Sequence, residues 1–309
     1  MTQAPELPAA GVRVSLRYLR APGSDPSMAD VVGHLVETGP RVQIRSADGT
    51  IHECRLADVL YVRRLTDRPV KNSAIRAVEH AAAMAWPGSE HEWLDGWWLR
   101  AGHGATMTAN SAVPLDMFAR ESTIPAIIDW YVQRGLPPWL AVPERLLRVP
   151  DNVPTEHETR TLVRDLDSDG TDFGASGVVL SPEPDAGWRD CYGRNVPVQV
   201  PVEVLSAVVA GEVAFASIPG VAVGRAAVTE SPDGTRWVGL SALRVTGNQS
   251  DHARGVVCAA LQSWGGERGA THGYTHVPAH DHAAFEFFES IGFTGQHRTR
   301  YLDARILHR

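Results

Sequence analysis

One segment in the last third of the chain constrains the fold more than any other. A mostly apolar run, WVGLSALRV (237–245), is followed by a polar loop and by a segment that opens with Arg254-Gly255. The first run predicts a strand, and the second predicts a helix over 255–264. A helix starting directly after a strand directs its free N–H groups at the loop, where they favour an anion, and glycine lets a phosphate approach the backbone. The junction therefore predicts a phosphate site, with an ordinary strand-to-helix turn as the alternative.

Strand and helix patterns also alternate through the rest of the chain after residue 70. The predicted helices cover 74–85, 123–134, 201–209 and 281–290. The predicted strands and extended segments cover 97–100, 105–109, 137–142, 160–166, 213–217, 221–230, 271–277 and 299–306.

The N-terminal segment has a different pattern. Five short strand-like runs lie between residues 12 and 62, and Asp48-Gly49 is typical of a hairpin turn. This spacing predicts a small closed or half-closed barrel that ends near 66–69. Residues 1–68 hold 9 Arg and 8 acidic residues, so the segment has no strong basic face. A docking or packing module is favoured over a nucleic-acid-binding barrel.

Charge, hydropathy and cysteine content narrow the function further. The net charge of −7 disfavours a nucleic-acid partner, since phosphate contacts need clustered cations. No run of about 18 apolar residues and no signal peptide is visible, so we expect no membrane association. Cys54, Cys191 and Cys258 are odd in number and widely spaced, which predicts no disulfide framework and fits a reducing cytoplasm.

Four motifs in the last third occur together in a recognisable order. They are WVGLSALRV, the helix opening at Arg254-Gly255, GGERGA (265–270) and AFEFFESIGF (284–293). This order resembles the acyl-CoA core of the GNAT superfamily of N-acetyltransferases. WWLR (97–100), ANSAVPL (109–115) and WYVQRGLPP (130–138) are similar to an actinobacterial class of that superfamily. In that class, a small barrel precedes a degenerate copy of the fold.

The resemblance spans residues 12–303 and implies both a fold and an activity. The fold would be α+β, with GNAT-like halves in tandem after an SH3-like β-barrel, each half a mixed, mostly antiparallel sheet flanked by helices. The implied domains are 1–68 for the barrel, 69–170 for the degenerate half and 171–309 for the acyl-donor-binding domain. The implied activity is N-acyl transfer from acetyl-CoA or another acyl-CoA by direct attack of an amine, with no metal.

The resemblance also implies where the donor binds. The strand before the loop splays from its neighbour, so Leu243, Arg244 and Val245 would pair with the pantetheine arm. The loop would hold the pyrophosphate and Asp281 would open the last helix. The loop residues are His252, Ala253, Arg254, Gly255, Val256 and Val257.

This sequence departs from the family pattern at several of these positions. His252 stands where the family has Gln or Arg, and Val257 stands in place of a small residue. Asp281 replaces an Asn, and Phe288 replaces the Tyr that serves as the acid. Since the strand 237–245 carries no carboxylate, a base on that strand is absent.

Candidate replacements for the base and the acid lie nearby. His272, Tyr274 and His276 alternate along one predicted strand, so their side chains share a face. His276 or His272 is a candidate base and Tyr274 a candidate acid, the alternative being that all three are hydrogen-bonded structural residues. Glu230, at a strand end, is a further candidate base. A zinc site formed by His272, His276, His280 and His282 is disfavoured, because the strand-then-loop spacing scatters their directions.

Three functions therefore remain open at this point. The first is an N-acyltransferase that uses acyl-CoA. The second takes its acyl group from phosphopantetheine on a carrier protein, which would need no grip on a nucleotide. The third is a non-catalytic acyl-CoA-binding module. A small amine or amino acid is the expected acceptor, with a protein lysine as the alternative, and the barrel could shape the acceptor site or a homodimer contact.

Overall fold

A computed structural model of the chain describes residues 7–8, 10–20, 23–24, 26–46, 49–64, 70–150, 152–166, 177–194, 198–246 and 250–308. The chain divides into two compact units, Met1–Val70 and Lys71–Arg309. Within the described ranges, no helix is both long and apolar enough to cross a membrane.

The first unit is one antiparallel sheet of five strands. They are β1 (Arg13–Leu19), β2 (Met28–Thr38), β3 (Arg41–Ser46), β4 (Ile51–Arg55) and β5 (Val59–Arg64). Their order in the sheet is β4-β3-β2-β1-β5. Alternate side chains, such as Val14 and Leu16 or Val42 and Ile44, are buried in one core, as a sheet with one covered face requires. The predicted five strands are confirmed, although Asp48 of the predicted turn lies outside the described residues.

The second unit combines six helices and eleven strands among the residues that the structure describes. The helices are α1 (Asn72–Ala85), α2 (Ile124–Val132), α3 (Ala186–Tyr192), α4 (Val202–Ser206), α5 (Ser250–Gly266) and α6 (His282–Ser290). The strands are β6 (Glu90–Leu94), β7 (Trp97–Ala101), β8 (Ser111–Pro114), β9 (Trp139–Pro143), β10 (His157–Asp165), β11 (Val179–Ser181), β12 (Glu212–Ile218), β13 (Ala222–Glu230), β14 (Arg236–Val245), β15 (His272–Pro278) and β16 (Thr294–Asp303).

These strands form a single mixed sheet in the order β11-β12-β13-β14-β15-β10-β16-β9-β8-β7-β6. All neighbours are antiparallel except the pairs β14/β15 and β8/β9. The same arrangement occurs twice: three antiparallel strands, a helix, and a strand parallel to the last of the three. It comprises β6–β8, α2 and β9 in the first copy, and β12–β14, α5 and β15 in the second. The predicted α+β, mostly antiparallel fold is confirmed.

The proposed boundary between the two halves stays a prediction. Residue 170 falls within 167–176, outside the described residues. Strand β10 precedes this boundary in the chain but lies between β15 and β16, which follow it. The two predicted halves therefore share one sheet.

Helices α1 and α5 cover opposite faces of this sheet. Ala226 on β13 packs in the cluster that contains α5, whereas the next residue, Ala227, packs against α1. Neighbouring residues of a strand point to opposite faces, so the two helices lie on different sides. Gly224 lets α5 approach closely, because a Cβ there would lie 2.8 Å from both Leu243 Cδ2 and Val257 Cγ1.

Several predicted elements are wrong in extent. The last predicted strand, 299–306, begins at Thr294 and ends at Asp303. Helix α5 begins at Ser250 rather than Gly255, because Ala253 extends the buried stripe one turn ahead of Val257. Residues 105–109 form a loop rather than a strand, since the side-chain oxygen of Asn110 accepts from the N–H groups of Gly102 and Gly104. Helix α4 ends at Ser206, short of the predicted residue 209.

Candidate active site

The parallel pair β14/β15 opens partway along its length. The strands pair from Trp237 and His272 to Leu240 and Thr275, and the structure describes both strands in full. Beyond that point β14 continues to Val245 while paired with β13 alone. The edge of β14 that faces β15 is therefore unpaired over residues 241–245, as the resemblance implied.

A bulge in β14 accompanies this opening. The register against β13 shifts at Gly224, and Ala242 has a positive φ of 53°, a conformation that costs strain for a residue with a Cβ. The carbonyl of Gly224 accepts instead from Trp188 Nε1 at 3.1 Å. The bulge is thus held in place by a buried indole.

A cavity of about 190 Å³ lies at the point where the two strands separate. Both copies of the repeated arrangement contribute to it, together with α1, α3 and the loop that follows β7. Its lining residues are Glu79, Ala82, Ala85, Trp86, Arg100, Thr106, Thr108, Tyr192, Arg225, Gly239, Leu240, Ser241, Ala242, Tyr274, His276 and Tyr301.

A buried carboxylate, Glu79 on α1, lies in the wall of this cavity. Its Oε1 atom accepts from His276 Nε2 at 3.1 Å, from His297 Nε2 at 3.0 Å and from the Thr161 hydroxyl at 3.1 Å. The Glu79 side chain is 7% exposed and that of His276 is 25% exposed, while His297 is fully buried behind the pair. The arrangement fixes one imidazole at the cavity with a carboxylate behind it.

The charge of Glu79 is maintained by these donors. Burial by itself raises the pKa of a carboxyl group, but His276 and His297 outweigh it and hold the pKa of Glu79 well below its usual value. The side chain is therefore ionised at neutral pH. An ionised carboxylate accepts from both Nε2–H groups and stabilises positive charge on either ring.

Tyr274 lies next to His276 on the same face of β15, with ring centroids 5.7 Å apart. It crosses directly over Gly239 of β14, where a Cβ atom would lie 2.1 Å from the Tyr274 hydroxyl oxygen. Burial raises the pKa of Tyr274, so the phenol stays protonated and can donate. The glycine at 239 is thus needed for this position of the ring.

The other two candidate bases do not reach the cavity. His272 begins β15, and its ring nitrogens contact Thr271 and Asp165 at 2.8 and 3.2 Å. Glu230 is half exposed at the end of β13 and forms an ion pair with Arg236 at 3.3 Å. Of the four proposed catalytic side chains, the structure brings together His276 and Tyr274.

The three predicted pantetheine-binding positions lie on the unpaired edge of β14. Arg244 is exposed there, and its Nη1 donates to the Leu243 carbonyl at 2.9 Å. Its guanidinium also lies 5.5 Å from the ring of Tyr192, a residue that lines the cavity. Val245 ends the strand opposite Ala222. The edge is continuous with the cavity, since Ser241 and Ala242 belong to both.

The predicted pyrophosphate loop is helical. His252 is exposed in the first turn of α5, whereas Ala253, Gly255, Val256 and Val257 are buried within it. Arg254 forms an ion pair with Asp251 at 3.5 Å and lies 4.9 Å from the Phe287 ring. A helix leaves free only the N–H groups of its first turn, so the donors nearest the open strand edge belong to residues 250–252 rather than 255–257.

The two predicted positions near α6 have structural contacts. Asp281 caps the helix, because its side chain accepts from the Ala284 N–H at 3.0 Å. Phe288 is buried with its ring 5.2 Å from that of Phe287 and 5.3 Å from that of Phe293. It supplies no proton at this site.

Three charged residues of the cavity went unnoticed in the sequence. Glu79 interrupts the buried face of α1, and Arg225 is the one charge within the otherwise apolar run 221–228. Arg100 lies in a strand that is buried along its whole length. A single charged residue within an apolar run could have identified them as site residues, because a buried charge needs a partner or a function. In the part of the chain that the structure describes, no group of His, Cys, Asp or Glu side chains is placed to hold a metal ion.

Two family models match the chain. One, described as the C-terminal domain of the probable histone acetyltransferase Rv0428c, matches residues 72–302. The other, described as the N-terminal Sm-like domain of Rv0428c, matches residues 8–63. The probable histone acetyltransferase Rv0428c of Mycobacterium tuberculosis is 49% identical over 300 residues, which cover 96% of each chain.

Solved structures resemble the chain more distantly. A GCN5-related N-acetyltransferase from Kribbella flavida aligns with 76% of this chain and 96% of its own, at 14% identity and a TM-score of 0.49. A second GCN5-related N-acetyltransferase, from Sphaerobacter thermophilus, aligns with 87% of this chain and 82% of its own, at 11% identity and a TM-score of 0.38.

The opened parallel strand pair and the sequence matches together define a GNAT-type acetyltransferase with an Sm-like domain before it. The chain belongs to the Rv0428c acetyltransferase family.

Proposed function

We propose that the chain transfers an acetyl group from acetyl-CoA to an amine held in the cavity, by direct attack of the amine. The observation that carries the proposal is the pair formed by buried Glu79 and half-buried His276 at the point where β14 and β15 separate. An imidazole backed by a carboxylate is suited to accept a proton from an attacking amine.

His276 acts as the base in this proposal. Glu79 accepts from Nε2–H and so leaves the lone pair of a neutral ring on Nδ1. As the amine nitrogen bonds to the acyl carbon, the C–S bond breaks and the amine proton passes to His276. Glu79 stabilises the imidazolium that results. A positioned base of this kind contributes about 10²- to 10⁴-fold in rate.

The leaving thiolate needs a proton, and Tyr274 is the proposed source. Its phenol lies beside His276, whereas Phe288 has no proton to give. Burial raises the pKa of Tyr274, so the phenol is protonated at neutral pH and its hydroxyl can donate a hydrogen bond to the thiolate sulfur as the C–S bond breaks.

The donor would bind along the unpaired edge of β14. On the edge that faces β15, backbone groups of residues 241–245 have no strand partner, so they would pair with the amide groups of a pantetheine arm as an added strand does. The Leu243 carbonyl would exchange its contact with Arg244 Nη1 for this pairing. The thioester supplies the activated acyl group. Because Gly255 lies inside α5, a pyrophosphate would meet the first turn of the helix, near His252. This placement keeps a carrier-protein donor as the second candidate, since phosphopantetheine without a nucleotide needs no such contact.

The acceptor in the proposal is a small amine, since the cavity is below the range of about 300–1,000 Å³ that is usual for ligand sites. A lysine of a protein is the alternative, because the Mycobacterium tuberculosis relative is named a probable histone acetyltransferase. A cytoplasmic location is part of the proposal and is supported by three buried, free cysteines.

The test measures CoA released from acetyl-CoA with a panel of small amines and amino acids, and with a histone-tail peptide. His276→Gln is compared with His272→Gln, a matched variant on the same strand and face that does not line the cavity. We expect turnover with a small amine. Its rate should fall about 10²-fold or more in His276→Gln and stay near that of the unaltered chain in His272→Gln. Equal loss in both, or turnover with the peptide alone, would contradict the proposal.

The donor is tested separately by calorimetry with acetyl-CoA and with acetyl-pantetheine, which lacks the nucleotide. Much tighter binding of acetyl-CoA supports a CoA donor. Equal binding of both supports the carrier-protein candidate, and binding of neither would contradict a pantetheine-based donor of either kind.

A further inference from the structure

The cavity contains more positive than negative charge. Of the described residues that line it, Glu79 is acidic, whereas Arg100 and Arg225 carry guanidinium groups. Both arginines are buried, at 4% and 1% exposure. Neither forms an ion pair with any carboxylate in the described part of the chain. Buried charges are costly unless they are paired, so this excess calls for an anion from outside the chain.

Arg225 is held rigidly against backbone oxygens. Its Nε donates to the Leu205 carbonyl at 2.6 Å, and its Nη2 donates to the carbonyls of Ala85 and Ala207 at 2.8 and 2.9 Å. Burial lowers its pKa to about 9, so the group remains protonated at neutral pH. These contacts fix a cation in the wall without neutralising it.

Arg100 is bound less completely. Its Nη1 and Nη2 atoms make long contacts of 3.3 and 3.4 Å, to the Trp86 carbonyl and the Ser111 hydroxyl. Its Nε atom is buried and has no hydrogen-bond partner. A charged donor left unpaired in this way is unfavourable unless a ligand supplies the missing acceptor.

Trp86 supplies a second unpaired donor beside the same cations. Its indole Nε1 is buried without a partner, and its ring lies 4.3 Å from the guanidinium carbon of Arg225. An indole N–H can donate and cannot accept. The unpaired side-chain groups of Arg100 and Trp86 are therefore both donors, which is the complement of an oxygen anion.

We propose that this side of the cavity binds a carboxylate of the acceptor, so that the acceptor is a small amino acid-like zwitterion. Its carboxylate lies between Arg100, Arg225 and Trp86, and its amine faces Glu79 and His276 across the same cavity. The inference rests on the proposed acetyl transfer for the role of the amine, but the binding of the carboxylate is independent of catalysis.

Direct binding tests the inference without any donor. The twenty L-amino acids are titrated calorimetrically into the full chain, and each one that binds is compared with its α-carboxamide. We expect the carboxylate form to bind about 10- to 100-fold more tightly, the loss expected when a hydrogen-bonded charge is removed. Equal binding of acid and amide, or no binding by any amino acid, would overturn the inference.

Two variants test whether the preference for a carboxylate over a carboxamide arises beside Trp86, Arg100 and Arg225. Trp86→Phe removes the indole N–H and keeps an aromatic ring over Arg225. Trp98→Phe is the matched control, because Trp98 is also buried with an unpaired Nε1 but does not line the cavity. The ratio of the affinity for the acid to that for the amide should fall about tenfold in Trp86→Phe and stay unchanged in Trp98→Phe. A ratio unchanged by Trp86→Phe, or lowered equally by both, would contradict the placement.

The outcome for the proposed function is read separately. Turnover of acetyl-CoA with neutral amines, without a carboxylate preference in binding, would refute this inference and leave acetyl transfer standing. Amino acid binding with no acetylated product from any amine would refute acetyl transfer and leave the carboxylate site standing.

Discussion

Gly239→Ala tests the geometry of the cavity through a single methyl group. The added Cβ would lie 2.1 Å from the hydroxyl oxygen of Tyr274 and 2.2 Å from Cζ of its ring. Optimal contacts are near 3.5 Å, so the ring must move by about 1.4 Å. Tyr274 is buried among Trp237, His276 and α1, which leaves it little room.

The cost follows from this displacement. Overpacking a buried site destabilises by about 1–3 kcal/mol. For a unit the size of Lys71–Arg309, that corresponds to a fall in Tm of about 2–12 °C. Activity should fall further, since moving a group beside the reacting atoms by about 1 Å can cost about 10²-fold in rate.

Thermal unfolding and steady-state kinetics measure the two effects. Gly266→Ala is the matched control, because a Cβ at that position meets no atom within 4 Å. It should leave Tm equal or slightly higher. If Gly239→Ala unfolds at the same temperature as the unaltered chain, Tyr274 does not lie over Gly239 and the described cavity is wrong.

Two further predictions concern the proton-handling groups. Tyr274→Phe keeps the ring and removes the phenol proton, so we expect kcat to fall about tenfold or more with KM little changed; an altered KM with an intact kcat would assign the hydroxyl to ground-state binding instead. Glu79 has a pKa in the folded chain below its ordinary value of 4.5, so its contribution to stability is complete above that pH and is lost as the pH falls through the folded pKa. The difference in free energy of unfolding between the unaltered chain and Glu79→Gln should therefore stay constant from about pH 7 down to about pH 4.5 and shrink as the pH falls further, as denaturant titration would show; a difference that stays constant at acidic pH would contradict the assignment.

Local patterns predicted much of the fold. Alternating apolar residues placed the five strands of the first unit, whereas the opened pair β14/β15 was expected only from the family resemblance that the motifs from 237 to 293 carry. The residues at which helices and strands begin and end were less predictable, because they depend on tertiary contacts. Helix α5 starts a turn early since the sheet buries Ala253, and Asn110 holds residues 105–109 in a loop that no periodicity reveals.

The candidate site was predictable on one strand and not across the fold. Alternation along β15 placed Tyr274 and His276 on one face, as found. Glu79 lies 197 residues from its partner His276 in sequence, so no spacing rule connects them. His272 lies on the same face of β15, but it is at the start of the strand, where β14 and β15 are still paired, and its ring contacts Asp165. Which members of a face reach a cavity is decided by where the neighbouring strands separate.

The most direct measurement of the central claim is a double-mutant cycle on the Glu79–His276 pair. The value of kcat/KM with acetyl-CoA and the best small amine is compared for Glu79→Gln, for His276→Gln and for the variant carrying both changes. If the pair acts as one base, each single variant loses about 10²-fold or more, and the double variant is about as slow as the slower single one. Losses that multiply in the double variant, or single variants within about threefold of the unaltered chain, would contradict the account.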